Sequence, residues 1–148
     1  MILEKMMKKT IITVEMDDSV KVVKEIFDRT RFHHLLVVES GKLFGVISDR
    51  DLLEVLNPNI GTITETTRDL AVLNKRAHQI LTRKPFTLSP KSGIYDAIEI
   101  FNKHSISCIP VVDEENKPVG IISWRDILRV IEAMREHHPD KANQQGHS

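Results

Sequence analysis

Val37-Val38-Glu39-Ser40-Gly41-Lys42-Leu43-Phe44-Gly45-Val46-Ile47-Ser48-Asp49-Arg50-Asp51-Leu52-Leu53 returns later in the chain. The second copy reads Val111-Val112-Asp113-Glu114-Glu115-Asn116-Lys117-Pro118-Val119-Gly120-Ile121-Ile122-Ser123-Trp124-Arg125-Asp126-Ile127-Leu128, with one residue inserted in the turn. Upstream the register holds: Thr13 matches Thr87, Val20 matches Ile94, Val23 matches Ala97 and Phe27 matches Phe101. A duplication of this extent decides the architecture before any single element is considered.

Each copy reads as strand, helix, strand, strand, helix. Thr10 to Val14 is short and β-branched, as a strand should be. Asp18-Ser19 signals a helix start, and Val20, Val23 and Phe27 share one face at helical spacing. Leu35 to Val38 and Leu43 to Ile47 are apolar strands joined at Ser40-Gly41, where glycine suits a positive φ. A helix then begins near Ser48. In the second copy Ser92 is placed to cap a helix carrying Ile94, Ile98 and Phe101. Cys108 to Val112 and Val119 to Ile122 form the matching hairpin, and Ile127, Val130, Ile131 and Met134 stripe the last helix.

The copies bracket an insert. Asn57-Pro58-Asn59 and Gly61 are rich in chain breakers and predict a loop. Thr66 or Thr67 then caps a predicted helix with Leu70, Leu73, Ala77, Ile80 and Leu81 on one face. The expected divisions are 6–56 for the first repeat, 57–79 for the inserted loop and helix, and 80–135 for the second repeat. The polar tail at 139–148 lacks periodicity and is expected to be disordered.

Composition narrows the function classes. The 148 residues suit one ordinary domain or two small ones sharing a core. Apolar residues at 41% and charged residues at 28% are those of a folded globular protein. Lys+Arg and Asp+Glu both number 21, so no overall basic field favours nucleic acid or an anionic membrane. The single cysteine, Cys108, excludes an internal disulfide and zinc sites of the CxxC type. Met1 to Lys9 alternates apolar and charged residues, unlike a signal peptide, and no apolar run approaches the roughly 20 residues of a membrane span. The expected setting is cytoplasmic.

The repeated string, an apolar residue then Pro-Val-Val-Asp followed by Gly-Ile-Ile-Ser-x-x-Asp, resembles the CBS (cystathionine β-synthase) domain. The resemblance covers roughly Met6 to Leu56 and Ile80 to Met134. It implies an α/β fold of two βαββα CBS repeats packed as a pseudo-twofold pair, with clefts between the sheets. In many such pairs the clefts bind AMP, ADP, ATP or S-adenosylmethionine, and the pair regulates a partner. The segment Arg68 to Ile80 is similar to one found in stand-alone bacterial CBS pairs.

Ser-x-Arg-Asp is the strongest functional element. It lies where a strand ends and a helix begins, so free backbone N–H groups and the positive helix end face the same space. By resemblance Ser48 and Ser123 would contact phosphate, while Asp51 and Asp126 would accept from the ribose hydroxyls. Arg50 and Arg125 could pair with phosphate through their forked guanidinium. Ser-x-x-Asp is also a capping-box pattern, and the two roles are compatible. The adenine would lie at Ile106-Ser107-Cys108-Ile109-Pro110, although a plain buried strand accounts for the apolar members. Pro110 lacks a ladder donor and belongs at an edge or bulge. The first copy has Leu36 in its place, which ranks the second site higher. Thr82, Arg83 and Lys84 are placed to add charge near the second phosphate site, or else form a solvated linker.

Other chemistry is set aside. Neighbouring residues His33 and His34 on a strand point to opposite faces, and His137 and His138 have no supporting ligands, so no metal is expected. No nucleophile elbow, P-loop or HExxH occurs, and Cys108 sits mid-strand among apolar residues as an inert core thiol. Trp124 suits either an adenine face or a packing surface. The sequence therefore predicts a non-catalytic sensor for an adenosine nucleotide, acting as a homodimer on an unknown regulated protein. The alternative from another class is a structural dimerisation module without a ligand.

Overall fold

Two α/β halves emerge from the duplication in this computed structural model, which describes residues 1–56 and 67–136. The first half runs β1 (Thr13–Glu15), α1 (Val20–Arg29), β2 (His34–Glu39), β3 (Lys42–Ser48) and α2 (Asp49–Val55). A connecting segment carries α3 (Thr67–Leu73), α4 (Ala77–Ile80) and β4 (Thr82–Arg83). The second half has α5 (Ile94–Lys103), β5 (Cys108–Val112), β6 (Pro118–Ser123) and α6 (Trp124–Glu136). The loop at Asn57 to Gly61, the cap at Thr66, the pair His137-His138 and the tail at 139–148 lie outside the described residues.

Local chemistry explains most of these boundaries. Ser19 caps α1, its hydroxyl accepting from the Val22 N–H at 3.3 Å. The β2–β3 turn places Ser40 and Gly41 at φ of 52° and 78°, the two left-handed residues of a tight hairpin. The start of α5 differs from the sequence expectation. Its cap is Gly93, whose N–H is taken by the Asp96 carboxylate at 2.9 Å. Ser92 instead accepts from the Ser89 N–H at 3.1 Å, closing the preceding turn.

The insert differs as well. The apolar spacing predicts a single helix over Thr67 to Ile80, but the chain breaks between α3 and α4. There the backbone docks on the start of α1: the Val20 N–H donates to the Lys75 carbonyl at 2.7 Å and the Ala77 N–H to the Asp18 carbonyl at 2.7 Å. Those bonds to another element replace the ones a continuous helix would make within itself.

The first sheet has the order β1-β2-β3-β4, with β1 parallel to β2 and the other pairs antiparallel. The second is built to the same plan but more sparsely. β5 and β6 form the hairpin, Leu88 bridges to Val111 in parallel, and Lys8 bridges to Ile121 antiparallel. Pro110 explains the thinning. In the first half the Leu36 N–H donates to the Ile12 carbonyl at 3.0 Å. Pro110 stands in the place of Leu36 and has no N–H to give, so the first strand of the second copy survives only as the Leu88 bridge.

Each core is closed by a segment that precedes the other copy. Ala77, fully buried, packs with Val14, Val20, Val23, Leu35, Val37, Ile47 and Leu52 of the first half, with Leu73, Ile80 and Leu81 around it. Leu3, fully buried, packs with Ile94, Ala97, Ile109, Val111, Ile122 and Ile127 of the second half, joined by Met6 and Met7. The backbone bonds repeat this exchange. Leu3 N–H donates to the Ser92 carbonyl as Ala77 N–H does to Asp18, and Ile94 N–H to Met1 as Val20 N–H does to Lys75. Each bond becomes the other when the copies are exchanged, which is the relation of a pseudo-twofold pair.

The sheets meet through Leu36, Leu43, Val46 and Cys108, with Ile11, Val112 and Ile121 at the margin. Asn116, in the second hairpin turn, fixes the approach. Its carbonyl accepts from the Leu43 N–H at 2.9 Å and its side-chain amide donates to the Leu43 carbonyl at 3.1 Å.

Candidate functional site

The two Ser-x-Arg-Asp elements fold as the capping boxes their spacing predicts. Ser48 caps α2, its hydroxyl accepting from the Asp51 N–H at 3.0 Å while the Asp51 carboxylate accepts from the Ser48 N–H at 2.9 Å. At α6 the Asp126 N–H donates to the Ser123 hydroxyl at 3.2 Å, and Asp126 Oδ2 accepts from both the Ser123 N–H and hydroxyl at 2.9 Å. Capping thus occupies one oxygen of Asp126. The other, Oδ1, faces Lys8 Nζ at 3.7 Å and Arg129 Nη1 at 3.8 Å. Asp126 is 6% exposed, so this is a nearly buried carboxylate with a free edge turned toward cations.

Strand register decides which residues share a neighbourhood. Cys108 pairs with Ser123 and His34 with Ser48, so each Ser-x-Arg-Asp turn lies beside the strand start of its own copy. The third component comes from the exchanged segments. Thr82 pairs with Val46, two residues before Ser48, and Lys8 bridges to Ile121, two residues before Ser123. Thr82 therefore flanks the first turn, not the second as the sequence position suggested. Its place beside Ser123 is taken by Lys8. Extending the repeat alignment back to the N-terminus pairs Lys8 with Thr82, a signal the sequence reading passed over.

The proposed adenine strand is partly buried. Ile106 is half-buried, Ser107 exposed, and Cys108 and Pro110 buried. The Ser107 hydroxyl lies 2.7 Å from His34 Nε2, a polar contact between the two copies. Burial first, and then the nearby Asp51 carboxylate, push the Cys108 thiol up to about 12, which makes it a poor nucleophile at neutral pH. His34 is pushed below its usual range chiefly by burial. His33 points away to Asp49, Nδ1 to Oδ2 at 2.8 Å, so the adjacent histidines serve different partners. Arg50 and Arg125 are exposed, and the Arg125 guanidinium lies 5.9 Å from the centre of the half-exposed Trp124 ring.

An open groove of about 260 Å³ lies elsewhere, lined by Ile12, Val22, Glu25, Ile26, Arg29 and Thr30. At the places of Ile12 and Thr30, the second copy has Phe86 and His104, whose rings stack 4.1 Å apart. No helix among the described residues is long and apolar enough to cross a membrane.

The CBS domain family matches residues 3–58 and 77–133, and the chain belongs to that family. The uncharacterized protein MJ0188 of Methanocaldococcus jannaschii is 34% identical over 123 residues, 83% of this chain and 41% of that protein. The uncharacterized protein MJ1426 of the same organism is 25% identical over 154 residues, 88% of this chain and 91% of that protein. MJ0188 and a further relative, MJ1232, are thus much longer, with the chain spanning 41% and 37% of their lengths. Among solved structures, the CBS domain pair of protein MJ0100, in complex with 5′-methylthioadenosine and S-adenosyl-L-methionine, superposes with a TM-score of 0.72. It is 25% identical, and the match covers 90% of this chain and 98% of that one.

Proposed function

We propose that the chain is a cytoplasmic, non-catalytic sensor that binds an adenosine nucleotide or S-adenosylmethionine between its two CBS repeats. The carrying observation is Asp126: nearly buried, capped through Oδ2, with Oδ1 turned toward Lys8 and Arg129. A carboxylate edge beside a helix start suits a ribose diol next to a phosphate. Ser123 and Arg125 would hold the phosphate, and Ile106, Ser107, Cys108 and Pro110 would face the base. Ser48, Arg50 and Asp51, with Thr82 beside them, would form the second, weaker site. The ligands named for the MJ0100 pair support this class of ligand. Binding would favour one packing of the two copies, by no more than the ligand's differential affinity for the two arrangements.

The direct test is thermal unfolding against AMP, ADP, ATP, S-adenosylmethionine and NAD. A ligand at 100 times its dissociation constant adds about 2.7 kcal/mol of stability. No shift with any adenosine compound would overturn the reading. A structural dimerisation module is the second reading, favoured by one feature: Trp124, Leu128, Ile131 and Met134 on α6 are each about half exposed, and Leu53 on α2 is 71% exposed. Dimerisation is compatible with sensing, and the homodimer is the assembly expected to act on a regulated partner.

A further inference from the structure

We infer that Lys8 is the residue that reads ligand charge, making the cleft at Asp126 select an anionic 5′-phosphorylated adenosine over a neutral or sulfonium one. This rests on the nucleotide-binding reading above and names the ligand class of one of its two clefts. The two Ser-x-Arg-Asp turns are alike in motif and unlike in charge. Beside Asp126 stand Lys8, on the N-terminal segment bridged to β6, and Arg129 one turn along α6. The corresponding places in the first half hold Thr82 and Glu54, and Trp124 is replaced by Asp49. Among the described residues, two side-chain cations lie within 4 Å of Asp126 and none within 4 Å of Asp51.

The backbone that carries Lys8 is held there by the fold. It is clamped to β6 in both directions, Lys8 N–H to the Ile121 carbonyl and Ile121 N–H to the Lys8 carbonyl, each at 2.9 Å. Leu3, fully buried five residues earlier, anchors the same segment. Lys8 Nζ lies 3.7 Å from Asp126 Oδ1. A ribose hydroxyl donating to Oδ1 would share that oxygen with Lys8, whose half-exposed ammonium is free to turn toward a second negative charge. A phosphate supplies it. A thioether does not, and a sulfonium adds a like charge.

The experiment is calorimetric titration of the wild type, Lys8→Met and Lys8→Arg with AMP, adenosine and S-adenosylmethionine. Met keeps the apolar stem and Arg keeps the charge. The expected result is a wild-type preference for AMP, a roughly tenfold loss of AMP affinity in Lys8→Met, and substantial recovery in Lys8→Arg. Adenosine affinity should stay within about twofold in all three. Equal loss of AMP and adenosine, or no change in either, would overturn the inference while leaving the binding function standing. A wild type that takes up none of the three would overturn the inference, and the binding function with it if ADP and ATP also leave thermal unfolding unchanged.

Discussion

Met7 fills the space that a side chain at Gly120 would need, its sulfur lying 2.6 Å from where a Cβ would stand. The Lys8 carbonyl is 3.0 Å from the same point. Gly45 is in the matching position, with the Thr82 carbonyl at 2.6 Å and the Leu81 side chain at 2.7 Å. Both glycines let an exchanged segment lie directly on the sheet.

Substitution at either glycine should therefore act on the exchange itself. Gly45→Ala presses on a backbone carbonyl that cannot turn aside, and it should cost about 1–3 kcal/mol in urea unfolding. Gly120→Ala meets the flexible end of Met7 first and should cost less. If both variants unfold at the wild-type midpoint, the exchanged segments do not pack as described.

Asp126 has two tasks that substitution can separate. Asp126→Asn keeps an oxygen for the Ser123 N–H but loses the charge, so stability should change little while AMP binding weakens about tenfold. Asp126→Ala should add a capping loss of about 1 kcal/mol. Asp51→Ala should weaken binding less than Asp126→Ala. An Asn variant with wild-type affinity by calorimetry would remove Asp126 from the site.

The duplication was readable because hairpin, turn and capping signals are local and recur in register. The Ser40-Gly41 turn, the caps at Ser19 and Ser48, and the apolar strands follow from adjacent residues alone. What escaped the sequence reading depends on distant pairing. The break between α3 and α4 comes from backbone bonds to Asp18 and Val20, residues more than 50 positions away. Helical periodicity through Leu73, Ala77 and Ile80 contains no trace of them. Lys8 was missed for the same reason, since its partner Asp126 lies at the other end of the chain. The Ser-x-Arg-Asp turns are legible as capping boxes from their spacing, but which segment flanks each turn needs the register of Thr82 and Lys8.

The apolar residues left outside on α6 predict assembly. Trp124, Leu128 and Ile131 follow one another at spacings of four and three, a stripe suited to a second helix. Leu53 is the equivalent of Leu128, so both halves present a matching residue. Light scattering at micromolar protein should give twice the 17.0 kDa of one chain. Leu128→Glu with Ile131→Glu should return it to the monomer mass. A wild type of monomer mass would defeat the homodimer.

His34 should make stability depend on pH. Its Nε2 meets the Ser107 hydroxyl at 2.7 Å across the two copies. Burial lowers its pKa most, His33 and Lys8 lower it further, and Asp49 and Asp51 oppose the shift without reversing it. The folded protein therefore holds this imidazole neutral at a pH where the unfolded chain, with its ordinary value of 6.5, has begun to bind a proton. Stability from this group is complete above about pH 6.5 and is lost as acid takes the pH down through the lower folded value. The midpoint of thermal unfolding should be level above about pH 7 and fall below 6.5. His34→Gln keeps a polar group near Ser107 but does not titrate, so part of the acid slope should disappear. Replacing His33, which points to Asp49, supplies the control for the neighbouring histidine just before β2. Identical pH profiles for wild type and His34→Gln would show that the contact with Ser107 carries no proton-linked stability.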